Sequence, residues 1–191
     1  MLTNITKFAL VAVFAVSGVV YAGEMEQDVG IAMNHGGHDM AMTDDAWSEK
    51  DDADFLAGMI AHHKGALDMT KPVIHATKDA SVRKWAQAIL SSQQAEIDMM
   101  QAMLDKMQYK GEEAAAMMEG EMHNMMIMHV SDDPDVNFVS LMIPHHAGAV
   151  DMSLPALVFS SNTKIRKLAE DIITAQAREI AEFKTWLDNK E

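Results

Sequence analysis

Residues 54–104 and 137–187 are two copies of one unit. They are offset by 83 residues, align without a gap and share 18 of 51 positions. A gapless duplication of that length requires a fold built from two like supersecondary units, neither of which can bury its apolar face alone. Any site carried by the repeat is then present twice, as two separate sites or as one shared site on a pseudo-two-fold axis.

Each copy reads as a pair of helices. In the first helix of copy one, Phe55, Met59, His62/His63, Ala66 and Met69 recur at spacings of three and four, the period of a helix face. Asp51, Asp52 and Asp54 cluster at its start, where acids favour the helix dipole. Pro72 and Pro155 stand at equivalent places and predict a kink or break in each first helix. Asp79-Ala80-Ser81 and Ser160-Ser161-Asn162 offer caps for the second helices. Those carry Val82, Ala86, Ile89, Gln93, Ile97, Met100 and Leu104 on one face, and Ile165, Ala169, Ile172, Gln176, Ile180, Phe183 and Leu187 in copy two. No strand pattern competes. The expected fold is all-α, a four-helix bundle of ferritin-like appearance made from two duplicated hairpins. The linker, 105–136, adds a Met-rich helix from Glu112 to about His129, ended by Asp132-Asp133-Pro134.

The repeated chemistry is a Met, a His-His pair three residues later, and a second Met: Met59, His62, His63 and Met69, then Met142, His145, His146 and Met152. One copy alone is better explained by core packing, since Met is a common core filler. Duplication of the whole set favours ligands. Di-iron bundles place Glu three residues before a ligating His. No histidine here has an acid at that place; His62, His145 and His129 have Met instead. Thioether with imidazole suits copper, above all Cu(I), with Cu(II) or Ag(I) as further ions, rather than calcium, magnesium or a carboxylate-bridged iron pair.

Glu96 and Glu179 follow the core-facing Gln93 and Gln176 by three residues. They could accept from the free N–H of a ligating histidine, or join a network with Arg83 and Arg166; the sequence weighs these equally. In the linker, Met118, Met122, Met125 and His129 form a stripe at i, i+4, i+7 and i+11, with His123 and Met126 beside it. That stripe serves as apolar cover, as soft ligands, or as both; its two histidines favour a metal-binding role. The stretch 23–50 has no apolar periodicity and reads as a flexible tail. Packing cannot explain its Met40 and Met42, which stand near His35 and His38 and suggest a capture arm.

Residues 1–22 read as a secretory signal: Lys7, an apolar run from Phe8 to Val20, and Val20-Tyr21-Ala22 as cleavage site. An uncleaved tether is the competing reading. The expected compartment is the periplasm, with a bundle domain over 51–191. Past residue 22, 14 basic against 29 acidic residues leave a formal charge of −15. Such a surface argues against nucleic acid and anionic lipid as partners. The chain has no cysteine, so a soft-metal site must use Met. Of 19 methionines, 11 lie outside Met1 and the two repeats.

The two copies of F-x3-M-I-x-H-H-x-G-A-x-D-M, each followed by R-K-x-A-x2-I-x3-Q-x2-E-I, resemble a bacterial family catalogued as a domain of unknown function. The resemblance spans roughly residues 51–187. It implies a helical bundle, export, and copper binding through the eight repeated Met and His residues. Pro144 departs from the pattern, standing where copy one has Ala61. It is expected to remove a backbone hydrogen bond and shift His145 and His146. The resulting expectation is a copper-binding protein, not an enzyme, acting in homeostasis or resistance. It would be a monomer or homodimer that passes copper to an efflux or cuproprotein partner. Binding should weaken below the imidazole pKa. The alternatives are a metal-dependent oxidase and a structural bundle that binds no metal.

Overall fold

The computed structural model describes residues 47–190, which form five helices: α1 (Glu49–Ala76), α2 (Ala80–Leu104), α3 (Glu112–Met126), α4 (Pro134–Phe159) and α5 (Thr163–Asp188). The signal segment and the tail up to residue 46 lie outside the described residues.

Local chemistry sets the helix starts. Ser48 and Asp51 form a reciprocal capping box at α1. Asp79 accepts from the amides of Ser81 and Val82, and Asn162, its counterpart in copy two, accepts from Lys164. Asp133 caps α4, and Pro134 takes its first turn, where a missing amide costs nothing. The Asp132-Asp133-Pro134 segment therefore opens α4. The linker helix has already ended, at Met126 rather than near His129.

The prolines do not interrupt their helices. α1 runs through Pro72 to Ala76, and α4 through Pro144 and Pro155 to Phe159. The expected break fails because the turn beyond each proline is held by packing. Val73 lies against one core cluster and Leu157 against the other, and tertiary burial outweighs one lost hydrogen bond.

α2 packs on α1 and α5 on α4, and the two hairpins meet through α1 and α4. Trp85 ties α2 to α5, with its ring 5.0 Å from that of Phe183 and its indole N–H donating to Glu182 at 2.9 Å. The core falls into two apolar clusters. Met59 and Leu56 of α1 join Ala149 and Ala156 of α4 in one, with Met152 against it; Met142 and Phe138 of α4 join Ala66 of α1 in the other, with Met69 against it. The early part of each first helix thus meets the late part of the other, so α1 and α4 run antiparallel and their histidines fall between the clusters.

α3 lies on α1. Gly111, at φ 62°, starts it where a Cβ would come 2.6 Å from the Ala53 carbonyl oxygen. Glycine is required there both for the left-handed backbone and for the close approach. Further on, Met122 fills the space left by Gly65, 2.8 Å from where a Cβ would stand.

Candidate metal centre

Four histidines form a layer across the middle of the bundle. His63, His145 and His146 are fully buried and His62 is 2% exposed. His62 and His145 face one another across the α1–α4 contact with ring centroids 3.9 Å apart. His145 Nε2 donates to the His62 carbonyl at 3.2 Å. Flanking this pair, His63 Nε2 lies 2.7 Å from a Glu96 carboxylate oxygen, and His146 Nε2 lies 2.7 Å from one of Glu179. The alternative partners are engaged elsewhere: Arg83 binds the Thr77 carbonyl and Arg166 that of Ser160.

These bonds fix the tautomers. A carbonyl or carboxylate oxygen only accepts, so in the neutral ring Nε2 carries the proton and Nδ1 carries the bare lone pair. In His63, His145 and His146 that lone pair is buried without a partner, and His62 Nδ1 is equally unpartnered. Buried polar atoms without partners are uncommon, and four imidazole nitrogens in one layer need an explanation. A carboxylate holding one ring nitrogen while the other faces inward is how proteins orient a metal-binding histidine. The donor set therefore fits a soft or borderline cation. Among the described residues no three His, Asp or Glu side chains cluster at metal-binding spacing.

Burial also sets protonation. Desolvation, with the neighbouring His63 and His146, lowers the His62 pKa to about 3, and burial against His62 holds His145 well below its ordinary value. These two rings stay neutral across the physiological range. Any proton competition at this pair is displaced below the ordinary imidazole range.

The repeat methionines are arranged crosswise. Met59 and Met142 are fully buried; each shares its cluster with the second methionine of the other repeat, Met152 and Met69 respectively. Met59 and Met152 thus belong to one apolar cluster, and Met142 and Met69 to the other. Beyond Pro144 the outer histidine keeps its partner: His146–Glu179 has the same 2.7 Å separation as His63–Glu96, whereas His145 Nε2 bonds the His62 carbonyl and, among the described residues, His62 has no reciprocal bond.

In the linker, Met122 is buried and Met118 and Met125 are half-buried, while His123 and Met126 are exposed. Because α3 ends at Met126, His129 leaves the predicted stripe; it is exposed, 3.2 Å from Asp132. His35, His38, Met40 and Met42 lie outside the described residues. The sequence-based candidate set omits Gln93 and Gln176, which are buried with side-chain amide atoms unpartnered. Their identity in both repeats was the available signal.

The profile of DUF305, a domain of unknown function, matches residues 23–134 and 135–191. The chain belongs to the DUF305 family. A crystal structure of a DUF305 fragment from Deinococcus radiodurans is 30% identical, with a TM-score of 0.60, covering 73% of this chain and 96% of that one. CopM in its Cu(II)-bound form is 25% identical with a TM-score of 0.58, covering 77% of this chain and all of that one. Its Ag-bound form, obtained by soaking, is 27% identical at a TM-score of 0.58, covering 75% and 97%. An uncharacterized protein of Acanthamoeba polyphaga mimivirus, L153, is 43% identical over 56 residues, which is 29% of this chain; the chain spans 37% of that relative's length. Among the described residues, no helix of this DUF305 protein is long and apolar enough to cross a membrane.

Proposed function

We propose that this DUF305 protein is a periplasmic copper-binding protein whose cargo is Cu(I), with Cu(II) and Ag(I) as further ions, and that it binds rather than catalyses. The observation that carries the reading is the buried histidine layer, with Nε2 of His63 and His146 held by carboxylates and the Nδ1 atoms without partners. Imidazole nitrogen beside thioether sulfur is a donor set for copper rather than for hard cations. The solved structures of CopM with Cu(II) and with silver support the same choice of ion. Burial of the layer suits retention of an ion over turnover of a substrate. An acidic chain, at −14 overall, concentrates cations near its surface. The role is buffering copper or handing it to an efflux or cuproprotein partner.

The test is an anaerobic Cu(I) titration against a competing chelator. The intact protein should hold Cu(I) tightly, and His62→Ala/His145→Ala should lose that affinity by at least about 100-fold. Weak binding that the double substitution leaves unchanged would reject the histidine layer as the site.

A further inference from the structure

The ends of α2 and α5 occupy equivalent places in the two repeats and carry different chemistry. In repeat two, Glu182, Trp186 and Lys190 knit the end of α5 to the start of α2. Glu182 accepts from the Trp85 indole, and Trp186 and Lys190 each donate to Asp79 at 3.3 Å. Lys190 also lies 4.4 Å over the Trp186 ring. The counterparts 83 residues earlier are Met99, Met103 and Met107. Thioethers donate no hydrogen bond, so these three cannot rebuild that network.

Packing accounts for only part of the replacement. Met103 and Met107 are half-buried against the first apolar cluster, in which Met100 is fully buried. Met99 is 53% exposed, at a place that repeat two fills with a carboxylate. Met99 and Met103 stand one turn apart on α2, about 40° from each other around the axis. Beyond Leu104 the chain keeps curling. The Lys106 amide donates to the Met103 carbonyl at 3.1 Å and the Met107 amide to that of Leu104 at 3.0 Å, so Met107 follows one turn further on. Side chains on successive turns are neighbours, and the unbranched methionine chain lets their sulfurs converge.

We propose that Met99, Met103 and Met107 form a second, thioether-only site for a soft monovalent cation of the class of Cu(I) and Ag(I). Neutral sulfur donors without imidazole or carboxylate select such ions over hard and borderline divalent ones. The ammonium of Lys110, a nearby positive charge, is spent on the Leu104 and Asp105 carbonyls. The site is separate from the histidine layer: Met103 lies about 10 Å along α2 from Glu96, the partner of His63. It therefore stands or falls independently of the function proposed above.

Ag(I) is the probe, and the ¹³C-labelled methionine ε-methyl groups of the intact protein are the readout. Met99→Leu, Met103→Leu and Met107→Leu assign the signals with little change of volume. The three methyls should shift in one common step that saturates with a single equivalent of Ag(I). Each substitution should weaken that step at least about tenfold, as the loss of one soft donor, and leave the buried imidazole signals as they were. Those imidazole signals report the histidine layer in the same titration, so failure of either site is read separately. A shift at Met99 alone would overturn the proposal. So would methyls that move only when exposed Met117 of α3 moves with them, which would mean adventitious binding by any accessible thioether.

Discussion

Repeat one and repeat two share a centre and differ in their cover. In both, a first helix brings two histidines to the α1–α4 contact, and the second helix supplies a glutamate 2.7 Å from the outer one. Both also place a capping residue at the same point of the second helix, Asp79 and Asn162. Outside this frame the halves part: α3 lies on α1, and no described element lies equivalently on α4. What the duplication repeats is the geometry of the centre; what it leaves unequal is the packing that surrounds it.

The largest expected effect concerns the shared centre. Glu96→Gln and Glu179→Gln each weaken the hold on an outer histidine, and each should lower Cu(I) affinity by about 10- to 100-fold, read by chelator competition. Equal losses mean the halves contribute alike. A loss confined to Glu96→Gln would mean that the α3-covered half binds alone.

The second effect is on stability against pH, in the metal-free protein. His62 is held neutral with a pKa of about 3, and His145 lies well below its ordinary value, whereas in the unfolded chain both titrate near 6.5. Below that value the unfolded state binds more protons, so stability falls as pH drops from about 6.5 towards 3. The slope approaches about 1.4 kcal/mol per pH unit for each ring. Urea midpoints between pH 7.5 and 4.5 check it, and His62→Ala/His145→Ala should flatten the profile.

The smaller effects separate the two covers. Gly65→Ala drives a methyl into Met122, 2.8 Å away, and should destabilise by about 1–3 kcal/mol as an overpacking change. Gly148→Ala meets one atom, at 3.4 Å, and gains helix propensity of about 1 kcal/mol; it should be neutral or slightly stabilising. Thermal unfolding of the two variants tests the inequality, and equal losses would remove it.

Much of the frame was legible in the sequence because it rests on periodicity and duplication. The two hairpins and the caps at Asp79 and Asn162 are local or repeated features, whereas for Glu96 and Glu179 the sequence left a histidine and an arginine partner equally open. The proline break misled because propensity at Pro72 and Pro155 is local, while the packing of Val73 and Leu157 is not. The crosswise grouping of Met59 with Met152 and Met142 with Met69 was hidden for the same reason: one helix cannot show how another crosses it. His129 left its stripe because α3 ends one turn early, the least certain feature of any helix read from sequence. The shift at His62 depends on burial and on neighbours from α4, His145 and His146, that a single motif cannot reveal.

The central claim is that the buried imidazoles bind through Nδ1 while the outer pair keeps its Nε2 protons on the glutamates. Imidazole ¹⁵N NMR of the protein titrated with Ag(I), a diamagnetic stand-in for Cu(I), reads both nitrogens directly. The account predicts that Nδ1 of the buried histidines shifts on stoichiometric addition, while His63 and His146 retain Nε2–H. Shifts confined to exposed His123 and His129, with the buried rings unchanged, would contradict it.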